Sequence, residues 1–146
     1  MSARSPAVGR AVCEREEGSV LLLTLGYVLL ALAVIFVCVC ATDLYIAQKR
    51  LDALADAAAL AGADGFTLVV SDGSVRAELT DPVVEEQAAA LVGALPGEAS
   101  VAAAITPDGV SARVTLATEW HPPLLSAFVP EGLPLESTAT SRTALR

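Results

Sequence analysis

The side chains with reactive chemistry are few in this chain, and their spacing forms no catalytic set. Asp52 and Asp56 are one helical turn apart, a spacing that places two carboxylates side by side for acid–base work or for a cation. Lys49 precedes Asp52 by three residues and no further ligand is near, so we interpret the two carboxylates as part of a solvated helix face. The hydroxyl-rich residues 137–143 have no base in reach, so we expect no enzymatic activity.

Histidine and cysteine give equally little support for a metal or redox site. His121 is the single histidine, and Cys13, Cys38 and Cys40 are the three cysteines. Cys38 and Cys40 would point about 200° apart on a helix, so they could not chelate one ion together. His121 follows Trp120, and we expect this tryptophan to close the edge of a core rather than to form a recognition loop. We therefore predict no metal and no cofactor.

Residues 19–42 form an uninterrupted run without a charged side chain. Hydrophobic residues make up 54% of the 146-residue chain and the mean hydropathy is +0.60, which is high for a soluble domain. As a helix the run would reach about 36 Å, enough to cross a bilayer. A secretory signal cut after Ala41 is the alternative, but the apolar part of such a signal spans only about 7–15 residues. We predict an uncut transmembrane helix.

The charges are distributed unevenly around this run. The net charge is −8, and residues 43–146 carry fourteen acidic against six basic side chains, which disfavours a nucleic-acid partner. Arg4, Arg10 and Arg15 precede the run, whereas Lys49 and Arg50 follow it. The excess of basic residues on the first side predicts a cytoplasmic N-terminus and places the C-terminal residues outside the cell membrane.

The helical pattern continues beyond the apolar run. Small and apolar residues recur at steps of three and four, which is typical of the packing side of an amphipathic helix. We predict a helix packing seam formed by Leu44, Ala47, Leu51, Leu54, Ala58 and Ala61. Because most of these side chains are small, the seam would allow another helix, or the chain's own sheet, to approach closely. Gly62 or Gly65 would end the helix.

Downstream the pattern changes to strands and turns. Residues 66–70 and 75–79 flank a Ser-Asp-Gly-Ser turn, and residues 101–106 and 110–120 flank Pro-Asp-Gly, so both pairs predict hairpins. A helix begins at Thr80-Asp81-Pro82, with Val84, Ala88, Leu91 and Leu95 on one face. A short apolar turn at residues 124–129 and a last strand at residues 135–145 follow.

These elements predict an α+β fold of pilin-like architecture. A long N-terminal helix, first transmembrane and then amphipathic, packs on a small antiparallel sheet with one further helix. The expected segments are a cytoplasmic tail at residues 1–18, a transmembrane helix at 19–42, an amphipathic extension at 43–65 and a small exoplasmic domain at 66–146.

Two motifs resemble those of a known family. Glu17-Gly18-Ser19-Val20 opens the apolar helix, and Ala-Asp-Ala-Ala-Ala-Leu-Ala-Gly-Ala fills residues 55–63. Residues 14–65 resemble the TadE/TadG-like proteins of the Flp, or tight-adherence, pilus assembly system, in particular the TadG-related branch of high-GC Gram-positive bacteria. The resemblance implies a small, single-pass, non-enzymatic envelope protein that serves the assembly or anchoring of a pilus or a related secretion machine.

The resemblance also implies a candidate processing site and a set of partners. Pseudopilin relatives are cut after a glycine at the edge of the apolar helix, and Gly18 before Ser19 occupies that place. The sequence departs from pilins at Leu23, where they carry a glutamate. The implied partners are the membrane, other assembly proteins and further chains bound through the Ala-rich helix. The alternative is a membrane-tethered binding or sensor domain, unrelated to pili, in which residues 66–146 recognise an envelope ligand.

Overall fold

The computed structural model describes residues 10–71, 73–123 and 130–143. The elements in chain order are α1 (Arg10–Asp64), β1 (Thr67–Ser71), β2 (Ser74–Glu78), α2 (Asp81–Ala94), β3 (Ser100–Ile105), β4 (Ser111–Trp120) and β5 (Leu133–Arg142). The α+β fold with a long N-terminal helix is therefore confirmed. The start of the expected tail at residues 1–9, the expected turn at 124–129 and the end of the last expected strand lie outside the described residues.

The chain divides into two compact units, Met1–Ala41 and Thr42–Arg146, and we call the second unit the head. In the first unit apolar side chains are exposed, with Leu23 and Tyr27 each at 73%. Among the described residues, one helical segment, Ser19–Asp64, is long and apolar enough to cross a membrane, with a mean hydropathy of 2.9 in its most apolar stretch. A helix that is apolar on all sides is typical of a membrane span.

Three strands of the head form an antiparallel sheet in the order β3-β4-β5. β4 and β5 pair along their whole length, from Ser111 opposite Arg142 to Trp120 opposite Leu133. Successive side chains of a strand point to opposite faces, so alternate residues of β4 enter the core. The fully buried members of this face are Ala112, Val114 and Leu116.

The part of α1 that belongs to the head packs on this sheet, antiparallel to β4. A Cβ atom on Gly62 would lie 3.3 Å from the Cβ of Ala112, near the start of β4. At the other end, Trp120 Nε1 lies 2.8 Å from Asp43 Oδ2. Residues 43–62 of a helix rise about 28 Å, and residues 112–120 of a strand extend about 26 Å. The helix and the strand therefore lie side by side over nearly their whole common length.

The second helix begins where the sequence predicts. Pro82 lies in the first turn of α2, and Val84 and Ala88 are fully buried. The hydroxyl of Thr80 makes no capping hydrogen bond. Leu95, which we expected on the buried face, is 47% exposed, because α2 ends at Ala94 and the next residue has an extended backbone.

The hairpin of β1 and β2 forms its own two-stranded antiparallel sheet and does not join the other three strands. Its cross-strand pairs place four apolar residues on one face, and three of these are 58–70% exposed while the fourth is buried: Leu68, Val70, Val75 and Ala77. The backbone N–H of Leu79 donates to the carbonyl oxygen of Gly109 at 2.8 Å. The hairpin is thus tied to the rest of the head at its base.

Candidate functional site

The first candidate surface is the apolar run of α1. Its exposed large apolar side chains, within residues 20–39, range from 52 to 73% in exposed fraction. The hydroxyl of Thr24 donates to the carbonyl oxygen of Val20, so this polar group is bonded within the helix. Cys38 and Cys40 lie on the same segment. A helix that bonds its own backbone and presents apolar sides is suited to a lipid environment.

The predicted helix packing seam lies against the chain's own core. Leu51 is 3% exposed and Ala58 is fully buried. The other four members are partly buried: Leu44, Ala47, Leu54 and Ala61. The core also contains three alanines of α1 that were not predicted as part of the seam: Ala55, Ala59 and Ala63. Most of the seam is therefore covered by the sheet and α2 of the same chain, which leaves little of it for a partner.

The opposite side of this helical segment is exposed. Ile46, Ala53, Ala57 and Leu60 are all exposed, and we call these four residues the outer stripe. At about 100° per residue they lie within roughly 60° of one another around the helix. The two central alanines would let a neighbouring helix approach closely, because interaxial distance depends on the side chains at the contact. The outer stripe was not predicted from the sequence, because within residues 53–63 alanine occurs on every side of the helix.

Asp52 connects α1 to the edge strand β5. Its carboxylate accepts hydrogen bonds from Lys49 Nζ at 3.0 Å, Gln48 Nε2 at 3.0 Å and Ser137 Oγ at 2.8 Å. The bond from Lys49, followed by those from Ser137 and Gln48, lowers the pKa of Asp52 to about 2. The same lysine bond raises the pKa of Lys49. Asp52 therefore serves as a link between helix and sheet, whereas Asp56, one helical turn further along, is exposed.

A second polar link lies at the Thr42 end of the head. Trp120 donates its indole N–H to Asp43 and is partly buried against the core, which is the core-edge position expected for it. His121 is exposed. Gly132 has a φ of +68°, and a Cβ atom there would lie 3.0 Å from His121 Nε2. The glycine thus permits a close turn of the chain beside the histidine.

A groove of about 250 Å³ lies between α1 and the sheet within the head. Its apolar lining includes Leu54, Trp120 and Leu135, and its charged lining includes Arg50 and Glu119. Over the described ranges, no three His, Cys, Asp or Glu side chains come together as a set that could hold a metal ion. The groove therefore presents a mainly apolar surface to a ligand, with charged groups of both signs in its lining.

Comparison with known proteins gives one similarity. The family of Flp pilus-assembly TadE/G-like proteins matches residues 18–65, about a third of the chain. The matched stretch begins at Gly18, the candidate processing site with Ser19, and ends one residue beyond α1. The resemblance to the TadE/G-like family is therefore confirmed over these residues, without distinguishing the TadG-related branch. No curated protein and no solved structure matches the chain.

Proposed function

We propose that this chain is a single-pass membrane protein that serves as a structural or assembly component of a Flp-type pilus or a related secretion system. The observation that carries the proposal is the family match over residues 18–65. The matched stretch coincides with the part of α1 that contains the apolar run and the outer stripe. The similarity therefore lies in the element that would anchor the protein and meet its partners.

The anchor in this proposal is the apolar run of residues 19–42. A spanning helix satisfies all its backbone groups internally, so its insertion is effectively irreversible. The three arginines before the run, against Lys49 and Arg50 after it, favour a cytoplasmic N-terminus and a head outside the cell. Within the family, the sequence resemblance favours the TadG-related branch.

The proposed activity is association with other assembly proteins or with further copies of the chain, and not catalysis. The outer stripe supports this proposal, because its exposed Ala53 and Ala57 offer a close approach to another helix. Most of the seam residues on the other side are already engaged with the core of the head. A partner helix would therefore meet α1 on the outer stripe.

The test is deletion of the gene in its host, followed by complementation and a count of surface pili. We expect deletion to reduce piliation, wild-type chain to restore it, and the A57E variant to restore it several-fold less well. The matched control is A103E, which makes the same change at an exposed alanine of β3. Equal membrane levels of both variants would exclude a defect in folding. Unchanged piliation on deletion would overturn the pilus role, and equal complementation by A57E and A103E would overturn the outer stripe.

Processing at Gly18 is tested by the intact mass of the chain from purified membranes. Loss of 18 residues would indicate pilin-type maturation, and the full mass would indicate an uncut anchor. Loss of 41 residues would indicate a secretory signal and would overturn the anchor.

A second candidate function is a membrane-tethered binding domain, and the groove favours it. Its apolar walls and the side chains of Arg50 and Glu119 would suit a small amphipathic envelope ligand. Deletion that leaves piliation intact, together with ligand binding that is lost in a groove variant such as L54E but kept in A103E, would favour this function over the first.

A further inference from the structure

One end of the head is fixed close to the last residue of the apolar run. Asp43 follows Thr42 directly, and Trp120 donates its indole N–H to the Asp43 carboxylate at 2.8 Å. Trp120 lies opposite Leu133 in the β4–β5 register, so the last residue of β4 and the first residue of β5 lie together at this end of the head. The antiparallel course of β4 along α1 places the opposite end of the head near Gly62.

The covalent chain sets the depth of this end relative to a bilayer. The hydrocarbon core is about 30 Å thick, and each headgroup layer adds about 5–8 Å. A run of about 36 Å already reaches into that layer, and Asp43 and Tyr45 follow Thr42 by about 1.5 and 4.5 Å of helical rise. If residues 19–42 span the membrane, these residues therefore lie among the lipid headgroups.

The side chains at this end have the chemistry of a membrane interface. Tyr45 is 63% exposed and Leu133 is 44% exposed, and Trp120 is partly buried. Tryptophan and tyrosine are enriched at the headgroup level because their rings are apolar and carry one polar atom. The indole N–H of Trp120 already has an acceptor within the chain, the carboxylate of Asp43, so the ring can enter a less polar layer without losing a partner.

We propose that the end of the head formed by Tyr45, Trp120 and Leu133 rests in the headgroup layer of the bilayer that the apolar run crosses. This inference rests on the membrane anchor of the proposed function. The acidic side chains at this end, Asp43, Glu119 and Glu131, disfavour an anionic surface, so the fitting occupant is a zwitterionic lipid surface. The head would thus be held against the membrane and would not be displayed away from it.

The test uses Trp120, the single tryptophan of the chain, as its own reporter. The full-length protein is reconstituted into phosphatidylcholine vesicles that contain phosphatidylcholine with a nitroxide either on the headgroup or in the middle of the acyl chain. We expect the headgroup nitroxide to quench Trp120 roughly twofold or more, and the mid-chain nitroxide to quench it less, because interfacial rings lie at headgroup level. Iodide added to the water should quench it weakly.

The matched control is the double variant W120F/I105W. Ile105 is 42% exposed and pairs with Arg113, seven residues along β4 from Trp120, which places the new reporter about 23 Å away. We expect this reporter to be quenched by iodide and not by either lipid nitroxide. Headgroup quenching of equal size at both reporters would overturn the proposal, because it would be unspecific.

Vesicle flotation separates failure of this inference from failure of the proposed anchor. A chain that floats with the vesicles, but whose Trp120 is quenched by iodide and not by the headgroup nitroxide, would overturn the contact and leave the anchor standing. A chain that does not float with the vesicles would overturn both. Flotation together with selective headgroup quenching of Trp120 supports both.

Discussion

Gly62 of α1 lies in close contact with both α2 and β4, so replacing it by alanine tests the packing of the head. The added Cβ atom would lie 2.9 Å from Val84 Cγ1 and 3.3 Å from the Cβ of Ala112. Both neighbours are fully buried, and a β-branched valine has little freedom to turn away. Overpacking of this kind costs about 1–3 kcal/mol, whereas alanine in place of glycine in a helix returns up to about 1 kcal/mol. We expect G62A to lower the free energy of unfolding by about 1–2 kcal/mol.

The matched control for this prediction is G93A. Gly93 is also helical, and a Cβ atom there would meet nothing within 4 Å, so the same substitution should stabilise the head by up to about 1 kcal/mol. The two variants should therefore shift stability in opposite directions. The assay is urea unfolding of the full chain in nonionic detergent, followed by the fluorescence of Trp120. A G62A variant as stable as the wild type, or more stable, would refute the close approach of the three elements.

Three further predictions use the same unfolding assay. The pKa of Asp52 is lowered from 3.8 to about 2, chiefly by the hydrogen bond from the lysine three residues earlier, so its ionised form stabilises the fold. This contribution is complete above about pH 5 and is lost as the pH falls through 3.8 towards 2. The free energy of unfolding of D52N should therefore decrease less than that of the wild type over the same fall in pH. The D56N variant controls for loss of one charge, and equal profiles for the two variants would contradict the prediction. L116A removes a fully buried side chain and should cost about 2–5 kcal/mol, whereas L68A, at a 58% exposed position, should change stability by less than about 0.5 kcal/mol. G109A places a side chain at a φ of +72° and should cost about 1–2 kcal/mol; an unchanged midpoint would show that the turn relaxes.

Local signals made much of the fold predictable. The Thr80-Asp81-Pro82 start predicted α2, and the Pro-Asp-Gly turn between two apolar stretches predicted the β3–β4 hairpin. Each of these signals depends on neighbours within a few residues. Such patterns are readable from a single sequence because the backbone preferences and the side-chain period act locally.

The side of α1 that faces the sheet was only partly predictable. Alanine occupies nearly every side of residues 53–63, so the apolar period does not decide between rotations of the helix. The choice depends on close approach at Gly62, which involves residues from two distant elements. The link from Asp52 to Ser137 joins positions 85 residues apart, and no local pattern marks it.

The antiparallel, side-by-side course of α1 and β4 has a mechanical consequence. The links at Asp43, Asp52 and Gly62 are spread along one helix axis, from one end of the head to the other. A pull along that axis loads them in shear, all at the same time, whereas a pull across it would open them one after another. A subunit that transmits tension along its helix would therefore resist sliding far better than peeling.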